Sequence, residues 1–144
     1  MSATVDANLL LYASDEESPF HARALRFLDE LARGTALVYL FWPTVMAYLR
    51  IATHPSIFER PLSTETAVGN IEALLELPTV QTTGEQERFW RRYREVVDDG
   101  RVSGNLVSDA HVVALMREND VRTIWTNDRD LRRFAGIDVR DPFV

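Results

Sequence analysis

Apolar and polar positions along the chain fall into short blocks that alternate between two rhythms. Ala3-Thr4-Val5-Asp6 reads as a short apolar strand running on into Ala7-Asn8-Leu9-Leu10-Leu11-Tyr12. Ser18-Pro19 reads as an N-cap with proline at the first helical position. The helix that follows sets Phe20, Ala24, Leu25, Leu28 and Leu31 inward at a ~3.6-residue period and ends at Gly34. Ala36 to Phe41 is continuously apolar, the pattern of a strand buried on both faces. Pro43 opens a helix through Val45, Leu49 and Ala52 that stops at His54-Pro55. Residues 63–77 form a third helix with Val68, Ile71, Leu74 and Leu75 inward, followed by Pro78. A short strand near Val80 leads to a helix carrying Phe89, Trp90, Tyr93, Val96 and Val97, and Gly100 and Gly104 punctuate the next loop. Asn105 caps a helix to about Asn119, Val121 to Thr126 is a β-branched strand, Arg129 to Phe134 a short helix, and Ile137-Asp138-Val139 a last strand.

Strands alternating with helices at this spacing imply an α/β fold, a central parallel sheet flanked by helices on both faces. The order of the strands is not legible in one sequence. At 144 residues, 46% hydrophobic and 26% charged, the chain fits a single globular domain spanning 1–144. The absence of cysteine excludes disulfides, zinc–thiolate sites and thiol nucleophiles, and fits a cytoplasmic protein. Apolar runs such as Ala36 to Trp42 are too short to span a bilayer, so no membrane association is expected. The N-terminus lacks the basic region of a signal peptide. A net charge of −6 argues against non-specific coating of nucleic acid, yet an acidic metal site adds negative charge that a cation would offset. Arginine dominates the basic residues and suits bidentate phosphate contacts.

Ligands of open α/β sheets lie beyond the carboxyl ends of the strands, so polar residues there carry the chemistry. The first strand ends in Asp6, with Asn8 two residues on, and the strand Val121 to Thr126 ends in Thr126-Asn127-Asp128-Arg129-Asp130. A third acid, Asp109, falls in the first turns of a helix, with Leu106, Val107, Ala110 and Val113 on the packed side. Carboxylates from separate elements suit a hard cation such as Mg²⁺, which takes oxygen ligands and usually needs only one or two carboxylates. Each acid also has a bland use: Asp6 as a turn residue, Asp128 as the cap of the short helix after it, Asp109 as an early-helix acid favoured by the macrodipole. Asp130 reads as a solvated or capping acid, Asp98-Asp99 as a solvated helix end, and His111, two residues from Asp109, as a structural residue facing elsewhere. The three histidines form no metal-spaced pair, and no Ser–His–Asp arrangement is evident.

The motifs V-D-A-N at 5–8, W-P-x-V-x-x-x-L-R-x-A-T-H-P from Trp42, G-N-L-V-x-D-A-H from Gly104 and T-N-D-R-D-L from Thr126 resemble, in this order, the PIN-domain toxins called VapC. The resemblance implies a compact α/β PIN fold and a Mg²⁺- or Mn²⁺-dependent endoribonuclease. Such a toxin cuts structured RNA, tRNA or rRNA, to stop translation, and is neutralised by a small VapB-type antitoxin. It also implies a homodimer. Asp6, Asp109 and Asp128 match the family's acidic metal-site positions, and the resemblance makes them the catalytic, metal-holding residues. Asn8 and Thr126 match polar positions that orient the acids or their waters. Arg129, Arg132 and Arg133, after the acidic strand end, are candidates for holding the RNA backbone.

One position departs from the pattern. Many relatives carry a glutamate where this chain has Ala47, which leaves three acids of a usual quartet. Either the site still cuts RNA with another acid or water filling the gap, or the chain is a weak or inactive module that binds RNA or an antitoxin. Glu30 and Asp130 are conceivable substitutes that the sequence does not place. Rival chemistries have less support: a HAD-like phosphatase or a receiver domain needs a second aspartate where Asn8 stands, and no G-x-G-x-x-G follows the first strand.

Overall fold

The computed structural model describes residues 2–144 and runs β1 (Ser2–Val5), α1 (Ala7–Ser14), α2 (His21–Arg33), β2 (Leu37–Phe41), α3 (Trp42–Ala52), α4 (Thr64–Leu75), β3 (Val80–Thr83), α5 (Phe89–Gly100), α6 (Leu106–Glu118), β4 (Thr123–Trp125), a 3₁₀ helix (Arg129–Arg133) and β5 (Asp138–Arg140). The strands make one sheet in the order β3-β2-β1-β4-β5, every neighbouring pair parallel. The alternation seen in the sequence thus builds the expected α/β architecture. β1 lies at the centre, pairing Ser2 with Leu37 on one side and Val5 with Trp125 on the other.

Each face of the sheet is covered by its own apolar cluster. On one, Val5 and Leu40 meet Leu9, Leu10 and Leu11 of α1, Phe27 of α2, Val45 and Tyr48 of α3, and Ile71 of α4. On the other, Phe41 and Ile124 meet Val96 of α5, Val113 and Met116 of α6, and Leu131 and Phe134. Tyr48, only 1% exposed, keeps its hydroxyl satisfied through Ser14 Oγ at 2.7 Å and Asn70 Nδ2 at 3.1 Å.

Several sequence expectations change at this level. Residues 7–12 do not extend the first strand but form α1, which packs against α2 and α3 and so buries three consecutive leucines. A helix enclosed on several sides loses the one-faced periodicity that identifies it. Ser18 and Pro19 precede α2 rather than opening it: Ser18 Oγ accepts from the Phe20 N–H at 3.1 Å, and the helix begins at His21. Leu25, Val68 and Val107, expected inward, are exposed, whereas Phe27 and Ala67 take core positions. Asn105 stands at the cap position of α6 without a side-chain capping bond. Among the described residues, no helix is long and apolar enough to cross a membrane.

Candidate active site

Strand order 3-2-1-4-5 has one topological switch point, between β1 and β4, where the chain leaves the sheet centre in opposite directions. There the loops part and open a crevice at the carboxyl edge. Asp6 follows β1 directly, and Thr126, Asn127 and Asp128 follow β4. The two strand ends are tied by the Asp6 N–H donating to the Trp125 carbonyl at 2.9 Å.

Asp6 caps α1, its Oδ1 accepting from the Asn8 backbone N–H at 3.5 Å. Thr126, 1% exposed, donates its hydroxyl to Asp6 Oδ2 at 2.6 Å. The same Thr126 oxygen accepts from the Asp128 N–H at 2.9 Å. Thr126 is therefore the hinge pin between two acids that are 122 positions apart in sequence (128 minus 6). Asn8 touches Asp6 through its backbone only; because it lies in a helix, the side-chain alternation expected of a strand does not apply.

Asp109 reaches the same place from the first turn of α6. Asp6 and Asp109 line one cleft of about 160 Å³ together with Pro43, Thr44, Ala47, Ser108 and His111. The N-termini of α1, α3 and α6 all open on this cleft, and their partial positive charge favours anions there. Asp128 is not among the lining residues, and its Oδ1 accepts from the Asp130 N–H at 2.9 Å, capping the 3₁₀ helix. Its charge nevertheless acts on both other acids.

The electrostatics are those of crowded carboxylates. Burial, and to a smaller degree the charge of Asp128, holds the Asp6 carboxyl above its ordinary value despite the bond from Thr126. Burial, then the charges of Asp128, Asp6 and Asp130, pushes Asp109 up to about 6, with Arg133 opposing. Acids that resist ionisation in this way mark functional clefts and favour a neutralising cation. The donors on offer are hard oxygens, and an open site built on one or two carboxylates is what Mg²⁺ usually accepts. Among the described residues, no three His, Cys, Asp or Glu side chains are grouped so as to hold a metal ion, and the expected set Asp6, Asp109 and Asp128 does not make such a group. The donor set fits an open hydrated ion rather than an all-protein one.

Other residues fall into place around this centre. Ala47 faces the cleft, so the position lacking an acid is at the site itself. Asp130 is near enough for its charge to act on Asp109, but Glu30 lines a different cleft with Phe27 and Trp125 and cannot substitute. Arg129, Arg132 and Arg133 are exposed on the 3₁₀ helix beside Asp128. His111 was expected to face away; it lines the cleft and pairs with Glu85 just beyond β3. Asp98 and Asp99 are exposed at the end of α5, as expected, in loose surface pairs with Arg94 at 3.6 Å and Arg117 at 3.7 Å.

The family model of the PIN domain matches residues 3–137. Ribonuclease VapC48 of Mycobacterium tuberculosis is 48% identical over 143 residues, 99% of each chain. Ribonuclease VapC37 of the same organism is 34% identical over 92% of each chain. Among solved structures, VapBC2 from Rickettsia felis, bound to a DNA fragment from its promoter, superposes with a TM-score of 0.71 at 14% identity, covering 98% of both chains. VapC20 of Mycobacterium tuberculosis, described as a sarcin-ricin loop cleaving toxin, gives 0.69 at 15% identity over 96% of this chain and 98% of that one.

Proposed function

That this chain belongs to the PIN-domain family, in its VapC branch, is the premise from which we propose its function: a divalent-cation-dependent endoribonuclease acting as the toxin of a toxin–antitoxin pair. One observation carries the reading. Asp6 and Asp109, from opposite ends of the chain, share a cleft at the switch point, with Asp128 tied to Asp6 through Thr126.

Asp6 and Asp109 would hold Mg²⁺ or Mn²⁺, with Asp128, expected as a third ligand, adding negative charge from outside the cleft lining. When bound, such an ion supplies a water of lowered pKa and offsets negative charge on the phosphate. Thr126 and the Asn8 N–H each hold one oxygen of Asp6, so the carboxylate is kept in one orientation at the cleft. Arg129, Arg132 and Arg133 grip the RNA backbone and present the scissile phosphate to the helix N-termini. Water attacks phosphorus, the bond to the 3′ oxygen breaks, and that oxygen takes up a proton. The products carry a 5′-phosphate and a 3′-hydroxyl. The substrate class is structured RNA, tRNA or rRNA.

The test is cleavage of cellular RNA by the purified protein with Mg²⁺, read by sequencing the RNA ends. Asp109→Ala and Asp128→Asn should each lower cleavage by at least a hundredfold while circular dichroism stays native. Full activity in a folded double variant would refute the assignment. Ala47 supports a second reading, a binding module with little activity, because a methyl group stands where an acid would complete the cleft. Calorimetry separates the two: Mn²⁺ binding that disappears in Asp6→Ala favours the enzyme, and no binding by the parent protein favours the module.

The antitoxin would take an apolar groove distinct from the cleft. A groove of about 220 Å³ runs between α1, α2, α3 and α4, lined by Leu10, Leu28, Ile71 and Leu74, with Leu25 47% exposed at its edge. An apolar helix of a VapB-type partner would bury the exposed half of Leu25, a gain of about 1 kcal/mol. Leu25→Asp is expected to weaken antitoxin binding tenfold or more, measured by calorimetry, and to leave RNA cleavage unchanged.

A further inference from the structure

Helix α5 opens with Arg88-Phe89-Trp90-Arg91-Arg92-Tyr93-Arg94, a density of arginine and aromatic rings unlike any other stretch of an acidic chain. Its rings are in series. Phe89 meets the His111 ring edge-on at 5.2 Å, Phe89 stacks on Tyr93 at 6.1 Å, and Tyr93 stacks on Trp90 at 5.6 Å. The inner end of the series, His111, is a wall of the acidic cleft. The outer end, Trp90, is 66% exposed.

Arg94 stands four residues from Trp90 and three from Arg91, so the three exposed residues span one outward arc of α5 of about 100°. Arg94 makes only a 3.6 Å surface pair with Asp98, and Arg91 is in no ion pair among the described residues. Tyr93 supports one side of the indole. The surface is thus a bare ring edged with cations rather than an apolar patch that a protein partner would cover. An unpaired nucleotide has the complementary chemistry: a base to stack on the indole and phosphates for the arginines.

Resting on the ribonuclease reading above, we propose that Trp90, flanked by Arg91 and Arg94, seats an unpaired base of the RNA at the outer end of the ring series that starts at the acidic cleft. It would select substrates with a looped-out or single-stranded nucleotide. A duplex keeps its bases stacked internally and offers none to the ring.

Binding is measured by fluorescence anisotropy in EDTA, so that no cleavage intervenes. The probes are a labelled RNA hairpin with an unpaired purine loop and a blunt duplex of the same stem. Trp90→Ala should weaken hairpin binding about tenfold and leave duplex binding unchanged, Trp90→Phe should restore most of the loss, and the thermal melt should not move. Arg91→Ala should weaken both probes and flatten the salt dependence by about one phosphate contact. Equal hairpin affinity in Trp90→Ala, or an equal loss on both probes, overturns the proposal. A Trp90→Ala defect in self-association or antitoxin binding with hairpin affinity intact also overturns it, assigning the ring to a protein interface. Loss of cleavage in the Asp109 and Asp128 variants is scored separately, so failure of this seat and failure of the nuclease reading remain distinguishable.

Discussion

Thr126 concentrates more of the site's order than any acid in it. Its buried hydroxyl satisfies Asp6 and the Asp128 backbone at once. Thr126→Val keeps the shape and removes both bonds, and should cost about 1–3 kcal/mol in a urea melt, with Thr126→Ser recovering most of it. Asp109 behaves oppositely. Its folded pKa, about 6, lies above the ordinary 3.8, so its contribution to stability is complete below the ordinary value and lost as pH rises through the folded one. In EDTA the parent protein should therefore lose stability between pH 4 and pH 7, and Asp109→Asn should show a smaller loss. After discounting for its half-exposed position, the substitution should add about 1 kcal/mol near pH 7.5, roughly 2–4 °C in Tm. A variant that melts lower than the parent would show that burial and repulsion do not govern Asp109. The placement of Asp6 and Asp109 at the cleft was legible from sequence because one follows a strand and the other opens a helix; that of His111 was not. Residues 108, 109, 111 and 112 all line the cleft, which wraps a wide arc of α6, so two positions ~160° apart on the helical wheel border the same space.

Elements were legible where their burial is one-sided and obscure where it is not. The periodicities of α3 and α4 and the continuous apolar run of β2 located them to within a few residues. Leu9-Leu10-Leu11 concealed α1 because all three leucines are buried between neighbouring helices. Leu25 misled for the converse reason: the periodic face of α2 is wider than its core contact, and the surplus borders an open groove. The end of α5 shows a third effect. Gly100 looks like the helix stop, yet the left-handed residue is Arg101, at φ 51°. Gly100 is glycine for another reason, since a Cβ there would lie 3.2 Å from the Phe134 ring. Arg101→Gly should relieve the backbone cost of about 1 kcal/mol, part of it returned through unfolded-chain entropy. A net gain of about 0.5 kcal/mol in denaturant unfolding is expected.

On the scale of the whole molecule, one sheet serves as the shared wall of both apolar clusters, so neither face can be released without exposing the other. Unfolding should be a single transition, with tryptophan fluorescence and far-ultraviolet dichroism coinciding in urea; separate midpoints would mean that α5 and α6 melt on their own. Layering and parallel pairing could be inferred from strand–helix alternation, but the order 3-2-1-4-5 could not, because it depends on contacts between distant segments. That order has a consequence for synthesis. β1 emerges from the ribosome first, and its partner β4 is among the last segments to follow. Until Thr126 arrives, Asp6 has no clasp and the crevice has only one bank. The clasp on Asp6 therefore cannot close until the chain has been made past β4, so a nascent or truncated chain ending before Thr126 lacks it.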